Sequence, residues 1–281
     1  FPERTVLLMY ASQGQFTQSV MLLNCIAELR RAKDTAEFFD AMGVEEQGLW
    51  MNDMLAQAQF APAGTDAPHV CFLDTGVNRG HPLLAPLLAE PDLHSVKPAW
   101  GVDDTANHGT GLAGLAAYGD LTHVLGRTDV VTVAHWLESV KLTPEEGSNE
   151  GDSKHHAYLF AEAVSRPEIT AANRRRVFAS AVTASDYRDR GRPSSWSSMV
   201  DRMAADVDNV GQYPRLFVLA AGNTRDHGAW MTYPDSLSTN LVHDPGQAWN
   251  AITVGACTKK VDTEHPSLMA IAPDGGLSPY T

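Results

Sequence analysis

The sequence predicts an α/β fold: three layers, with a mainly parallel sheet flanked by helices, preceded by a small N-terminal α/β or helical extension. Three observations predict it. Short strand-like runs recur at 69–73, 130–134, 138–142, 177–182, 216–221 and 251–255. All but the mixed run 138–142 are mainly apolar rather than strictly alternating, as in strands buried on both faces. Helical periodicity lies between several of them, over 109–117, 155–164 and 196–207, and strands alternating with helices build parallel sheets.

The N-terminal part has a different texture. Residues 5–10, Thr-Val-Leu-Leu-Met-Tyr, read as a strand. Over 18–33, Val20, Leu22, Leu23, Ile26 and Leu29 share one helical face, with Glu28, Arg30 and Arg31 outside it. Asp34-Thr35-Ala36-Glu37 resembles a capping box and opens a short helix with Phe38 and Phe39. A third helix is expected over 45–60, burying Leu49, Trp50, Met54 and Leu55. The Pro- and Gly-containing stretch 61–68 then reads as a linker. Residues 1–62 are thus an extension or propeptide-like segment, and residues 63–281 the main domain. A segment of that first size rarely folds without help, so Leu49, Trp50 and Met54 are expected to face a core.

Composition narrows the function. The chain has 281 residues, 43% of them hydrophobic and 20% charged, which is ordinary for a globular protein. No run reaches the ~18 uninterrupted apolar residues of a membrane span. The net charge of −13 repels phosphate backbones, so neither nucleic acid nor membrane is an expected partner. Arg174, Arg175 and Arg176 form the only tight basic cluster and read as a solvated helix end. Cys25, Cys71 and Cys257 show no C-x-x-C spacing, which leaves free, buried thiols as the expectation.

In open parallel sheets the chemistry collects at the carboxyl ends of the strands. The first apolar run there ends Leu73-Asp74-Thr75-Gly76. Alone, Asp74 is a turn cap. The aspartic-protease reading needs a second such carboxylate to share a proton, and no second D-[TS]-G occurs. Next, His108-Gly109-Thr110 opens a helix of small residues, where the helix dipole keeps an imidazole neutral and basic. Finally Ala220-Ala221-Gly222-Asn223 ends an apolar strand in a side-chain amide. That amide is either part of a turn or a donor aimed at a developing oxyanion.

Taken in order, with 34 residues from Asp74 to His108 and 115 more to Asn223, the set resembles the subtilisin-like serine peptidases. His81-Pro82-Leu83-Leu84 and Asn250–Ala256 agree with that family's pattern, and the resemblance covers roughly 68–281. It implies the subtilisin-like fold and acyl transfer by an Asp-His-Ser triad on peptide or protein substrates. His108 would be the base, Asp74 its orienting carboxylate and Asn223 the oxyanion donor. No cofactor is implied. Structural calcium is common in the family, and Asp103, Asp104, Asp186, Asp189 and Asp226 offer oxygens. Their spacing fits no EF-hand, so solvated loop carboxylates are expected and no metal ligand is assigned.

The family's Gly-Thr-Ser-x-Ala/Ser segment is missing. Ser267 and Ser278 lack its context, and Ser194, Ser195, Ser197 and Ser198 surround Trp196 as a helix cap. The expectation is a domain truncated before its serine, inactive as this piece alone. The rival reading is a silent module of the same fold that binds peptides or partner proteins. A metal hydrolase built on His81, His108 and Asp74 lacks any tight ligand cluster. For the substrate groove, the resemblance implies an added strand beside sheet edges. Residues 141–149, with Gly147, Ser148 and Asn149, read as one edge or as a plain surface loop, and the other edge lies near 181–184. Ala220 and Gly222 would leave room for the substrate side chain before the scissile bond. Glu145, Glu146, Glu150 and Asp152 make the rim acidic, which favours basic residues on the non-prime side.

Overall fold

A computed structural model of the chain describes residues 37–62, 64–125, 129–144, 156–184, 191–259, 261 and 267–280. The expected strand at 5–10 and helix at 18–33 lie outside the described residues. In chain order the elements are α1 (Glu37–Asp40), α2 (Val44–Gln57), β1 (Ala58–Phe60), β2 (His69–Asp74), β3 (Leu93–Ser95), α3 (His108–Tyr118), α4 (Leu121–Val124) and β4 (Val131–Val133). Then come β5 (Trp136–Lys141), α5 (His156–Thr170), β6 (Arg176–Ser180), α6 (Ser195–Ala204), β7 (Leu216–Ala220), α7 (His227–Met231) and β8 (Ile252–Val254). The chain divides into two units, one of residues 1–59 and 118–133, the other of residues 60–117 and 134–281.

In the smaller unit, α2 buries Met54 to 3% exposure, and Phe39 meets Trp50 edge to face at 5.7 Å. Leu49, expected to face a core, is 66% exposed instead. The helix also stops at Gln57 rather than at residue 60, because Ala58 turns to extended backbone with ψ 136°. Residues 58–60 form β1, which pairs with β4 in a two-stranded ribbon. The apolar run at 130–134 is therefore not a strand of the main sheet. Its middle residue, Thr132, is exposed, the mark of a one-sided ribbon.

The larger unit is built on a six-stranded sheet in the order β3-β5-β2-β6-β7-β8. Every neighbouring pair in it runs parallel. β3, an edge strand of three residues, is too short to show in apolar patterning. On one face Cys71, Leu73, Val140, Phe178, Phe217 and Leu219 meet Phe160, Val164, Trp196 and Val200 of α5 and α6. Phe217 stacks on Phe178 at 5.4 Å and touches Phe160 at 5.8 Å. Burial of each such side chain contributes about 1.5–3 kcal/mol. α5 runs on through Pro167 to Thr170, beyond the expected end at 164. Ser194 caps α6 in a reciprocal capping box with Ser197, as the serine cluster around Trp196 suggests.

At the amino end of the sheet Arg175 is solvated as expected, 63% exposed beside Asp66, but Arg174 and Arg176 are not. Arg176 is 4% exposed and makes a two-pronged pair with Glu138, itself 1% exposed, through Nε at 2.6 Å and Nη2 at 3.0 Å. Arg176 Nη2 also donates to the carbonyls of Pro167 and Ala171. Arg174 bridges Glu138 at 2.7 Å and Asp92 at 2.5 Å. Arg174 and Arg176 thus neutralise buried carboxylates, so their charge serves the fold and not a phosphate. Of the thiols, Cys71 is buried, and desolvation pushes its pKa well up, so it stays protonated and inert. Cys257, expected to be buried, is exposed.

Candidate active site

Asp74 is the last residue of β2 and is 1% exposed. Alternation places it on the face of Phe72, opposite Cys71 and Leu73. α3 begins on that face with His108, whose Nδ1 lies 2.7 Å from Asp74 Oδ1. A carboxylate only accepts, so Nδ1 carries the proton and Nε2 is the basic nitrogen. Asp74 Oδ1 also accepts the Thr75 N–H at 2.8 Å, whereas the buried Oδ2 accepts nothing among the described residues. His108 keeps 29% of its side chain exposed, so the pair is rooted in the core and opens at the surface.

The small residues around the pair are sterically required. A Cβ on Gly109 would stand 2.1 Å from the Gly76 carbonyl oxygen. One on Gly76, at φ +98°, would stand 2.6 Å from the Val102 carbonyl. These contacts bring the start of α3 hard against the turn after β2, which lets a short aspartate reach the imidazole.

Asp104, in the loop before α3, and Lys141, at the end of β5, are two groups whose roles sequence reasoning missed. Asp104, expected only as a solvated loop carboxylate, is 7% exposed. It accepts from the Thr75 hydroxyl (2.9 Å), the Ala106 N–H (3.0 Å), the Thr110 N–H (2.8 Å) and the Thr110 hydroxyl (2.6 Å). Burial raises its pKa, but these hydrogen bonds outweigh burial and hold it below the ordinary carboxylate value. The signal available in the sequence was an aspartate four residues before the histidine. Lys141, buried at the end of β5 beside Asp74 in register, donates from Nζ to the Asp103 carbonyl at 2.6 Å. Asp226 caps α7 through the Gly228 N–H. Asp186 and Asp189 lie outside the described residues, and no metal-holding group of three or more His, Cys, Asp or Glu side chains occurs among the described ones.

A depressed carboxylate pKa stabilises the fold above its unfolded value and stops doing so as pH falls through the folded value. The Asp104 contribution is therefore complete at neutral pH and lost in the acid range below the unfolded value of about 3.8. Thermal midpoints of wild type and Asp104→Asn should differ most near neutrality and converge on acidification. A gap independent of pH would contradict this origin.

Asn223 is exposed, three residues beyond the end of β7. β7 is separated from β2 by β6 alone, so Asn223 and Asp74 sit at the same carboxyl edge, on strands about 10 Å apart. Ala220 is partly exposed. Gly222 is buried at φ +107°, and the side on which a side chain would stand is filled by the His243 ring, 2.4 Å from an added Cβ. Gly222→Ala is thus expected to lose roughly 1–3 kcal/mol to overpacking and about 1–2 kcal/mol more to backbone strain. Denaturant unfolding checks this. Gly147, Ser148 and Asn149 lie outside the described residues. Of the expected groove edges, the Leu142 N–H is taken by the Asp74 carbonyl at 2.7 Å and the Ala184 N–H by that of Asp244 at 2.8 Å.

The sequence profile of the subtilase family matches residues 65–281. The chain belongs to the subtilase family. As a subtilase it is a serine-peptidase-type hydrolase domain, and the α/β sheet follows. Similar solved structures include the serine protease of Aeromonas sobria (18% identity, 57% of this chain and 26% of that one, TM-score 0.39). Another is the epidermin leader peptide processing serine protease of Staphylococcus aureus (16%, 75% and 49%, TM-score 0.43). A third is the CspB protease of Clostridium perfringens (17%, 56% and 35%, TM-score 0.36). The chain spans less than half the length of each of these. No curated protein matches it.

Proposed function

We propose that this subtilase is a serine endopeptidase in which Asp74 orients His108, His108 activates a serine, and Asn223 donates to the oxyanion. The carrying observation is the 2.7 Å contact between His108 Nδ1 and Asp74 Oδ1, on a carboxylate 1% exposed. It fixes the tautomer that leaves Nε2 to take the serine proton and return it to the leaving amine. The position of Asn223 at the same sheet edge supports the oxyanion role.

The nucleophile is proposed to lie outside residues 1–281, since no Gly-Thr-Ser-x-Ala/Ser segment occurs within them. Fluorophosphonate labelling of the full-length gene product beside the 281-residue chain tests this. Label on the former alone, at a serine beyond Thr281, is expected. Label on the 281-residue chain would show the nucleophile misplaced, and no label on either would favour a peptide-binding module. For specificity, the acidic residues Glu145, Glu146, Glu150 and Asp152 support a preference for basic non-prime residues. A peptide-library profile should show it, and acidic preference there would refute it.

A further inference from the structure

The loop ahead of α3 laces the two halves of the dyad together through one carboxylate. Thr75 follows Asp74 on β2, and Thr110 follows His108 by two residues on α3. Each hydroxyl has one proton to give and lone pairs to receive. Thr75 Oγ1 lies 2.9 Å from Asp104 Oδ1 and 3.2 Å from Asp74 Oδ1, so the shorter bond to Asp104 takes the proton. Its lone pairs accept the Gly109 N–H of α3 at 3.0 Å. Thr110 mirrors this. Its hydroxyl gives its proton to Asp104 Oδ2 at 2.6 Å and accepts the Asn78 N–H, from the turn after β2, at 3.0 Å. Each threonine thus crosses to the opposite element, and the acceptor that sets both hydroxyl directions is Asp104.

We propose that Asp104 is a positioning residue of the dyad: by orienting the Thr75 and Thr110 hydroxyls it fixes where His108 stands over Asp74. The inference rests on reading His108 as the base, and it adds a regulator of that base's tautomer. Asp104 touches no reacting atom. Its ionised form is required, because only a carboxylate offers acceptors on both oxygens. An amide keeps one acceptor and turns an NH₂ toward donors that already point inward.

The test is the imidazole tautomer of His108, read by ¹⁵N NMR of histidine-labelled whole chain above its titration range. It requires no peptide turnover, so failure of this inference and absence of peptidase activity are separate results. Wild type should hold the proton on Nδ1. Asp104→Asn should raise the Nε2–H fraction several-fold. Thr110→Val, near-isosteric and missing one hydroxyl, should do the same to a smaller degree and keeps the test open if Asp104→Asn does not fold. Thr110→Ser retains the hydroxyl and should restore the wild-type spectrum. Glu138→Gln weakens the ion pair about 10 Å down the sheet. It should lower the thermal midpoint and leave the tautomer unchanged. Wild-type tautomers in both Asp104→Asn and Thr110→Val, or an equal shift in Glu138→Gln, would overturn the proposal.

Discussion

Replacing His108 with Ala should reduce peptidase turnover of the full-length protein by roughly 10⁴–10⁶-fold, a magnitude carried over from subtilisin, a member of the same family. The reason is local. In the proposed mechanism the serine loses the base that Asp74 holds at 2.7 Å, and the leaving amine loses its proton donor. Asp74→Asn should cost less, about 10⁴-fold. The imidazole remains, but an amide can donate to Nδ1 and so stabilise the wrong tautomer. Neither side chain is assigned to the substrate strand, so the loss should fall on kcat with KM little changed. Circular dichroism of each variant separates lost chemistry from lost fold. Turnover that survives His108→Ala would remove it from the mechanism.

Glu138→Ala should be among the most destabilising single changes, losing about 3–5 kcal/mol. The glutamate side chain is 1% exposed and satisfies Arg176 from two directions, with Arg174 on the same oxygen. Without it, Arg176 keeps only its bonds to the Pro167 and Ala171 carbonyls, which leave its charge uncompensated in the core. Added salt should change the wild-type contribution little, because a buried pair is poorly screened. Urea unfolding across ionic strengths reads both points. A loss below about 1 kcal/mol would place the pair among solvent-exposed bridges.

Much of this was legible in the sequence, for physical reasons. Strands buried on both faces leave mainly apolar runs, which placed four of the six main-sheet strands; β5 was placed although Glu138, Ser139 and Lys141 interrupt it. Asp74 stood out in the sequence because it ends an apolar strand, and His108 because it opens a helix of small residues; the structure brings these two within 2.7 Å. What was hidden depended on partners distant in sequence. Val130–Ala134 has the composition of a main-sheet strand, and only its pairing with 58–60 sends it elsewhere. Arg174 and Arg176 look solvated until Glu138 of β5 and Asp92, just before β3, come to meet them. Asp104 reads as an ordinary loop acid because its four donors belong to Thr75, Ala106 and Thr110, and their convergence exists only in three dimensions.

The strand order has a consequence for when the Asp74–His108 pair can assemble during synthesis. β2 lies between β5 and β6, whose residues leave the ribosome well after Asp74 and His108 do. At about 5–20 residues per second, the interval between His108 and the end of β6 is on the order of ten seconds. During it the aspartate has no sheet to bury it, and the histidine has no fixed carboxylate to lean on. The order of synthesis thus delays assembly of the Asp74–His108 pair until both strands that flank β2 have followed it.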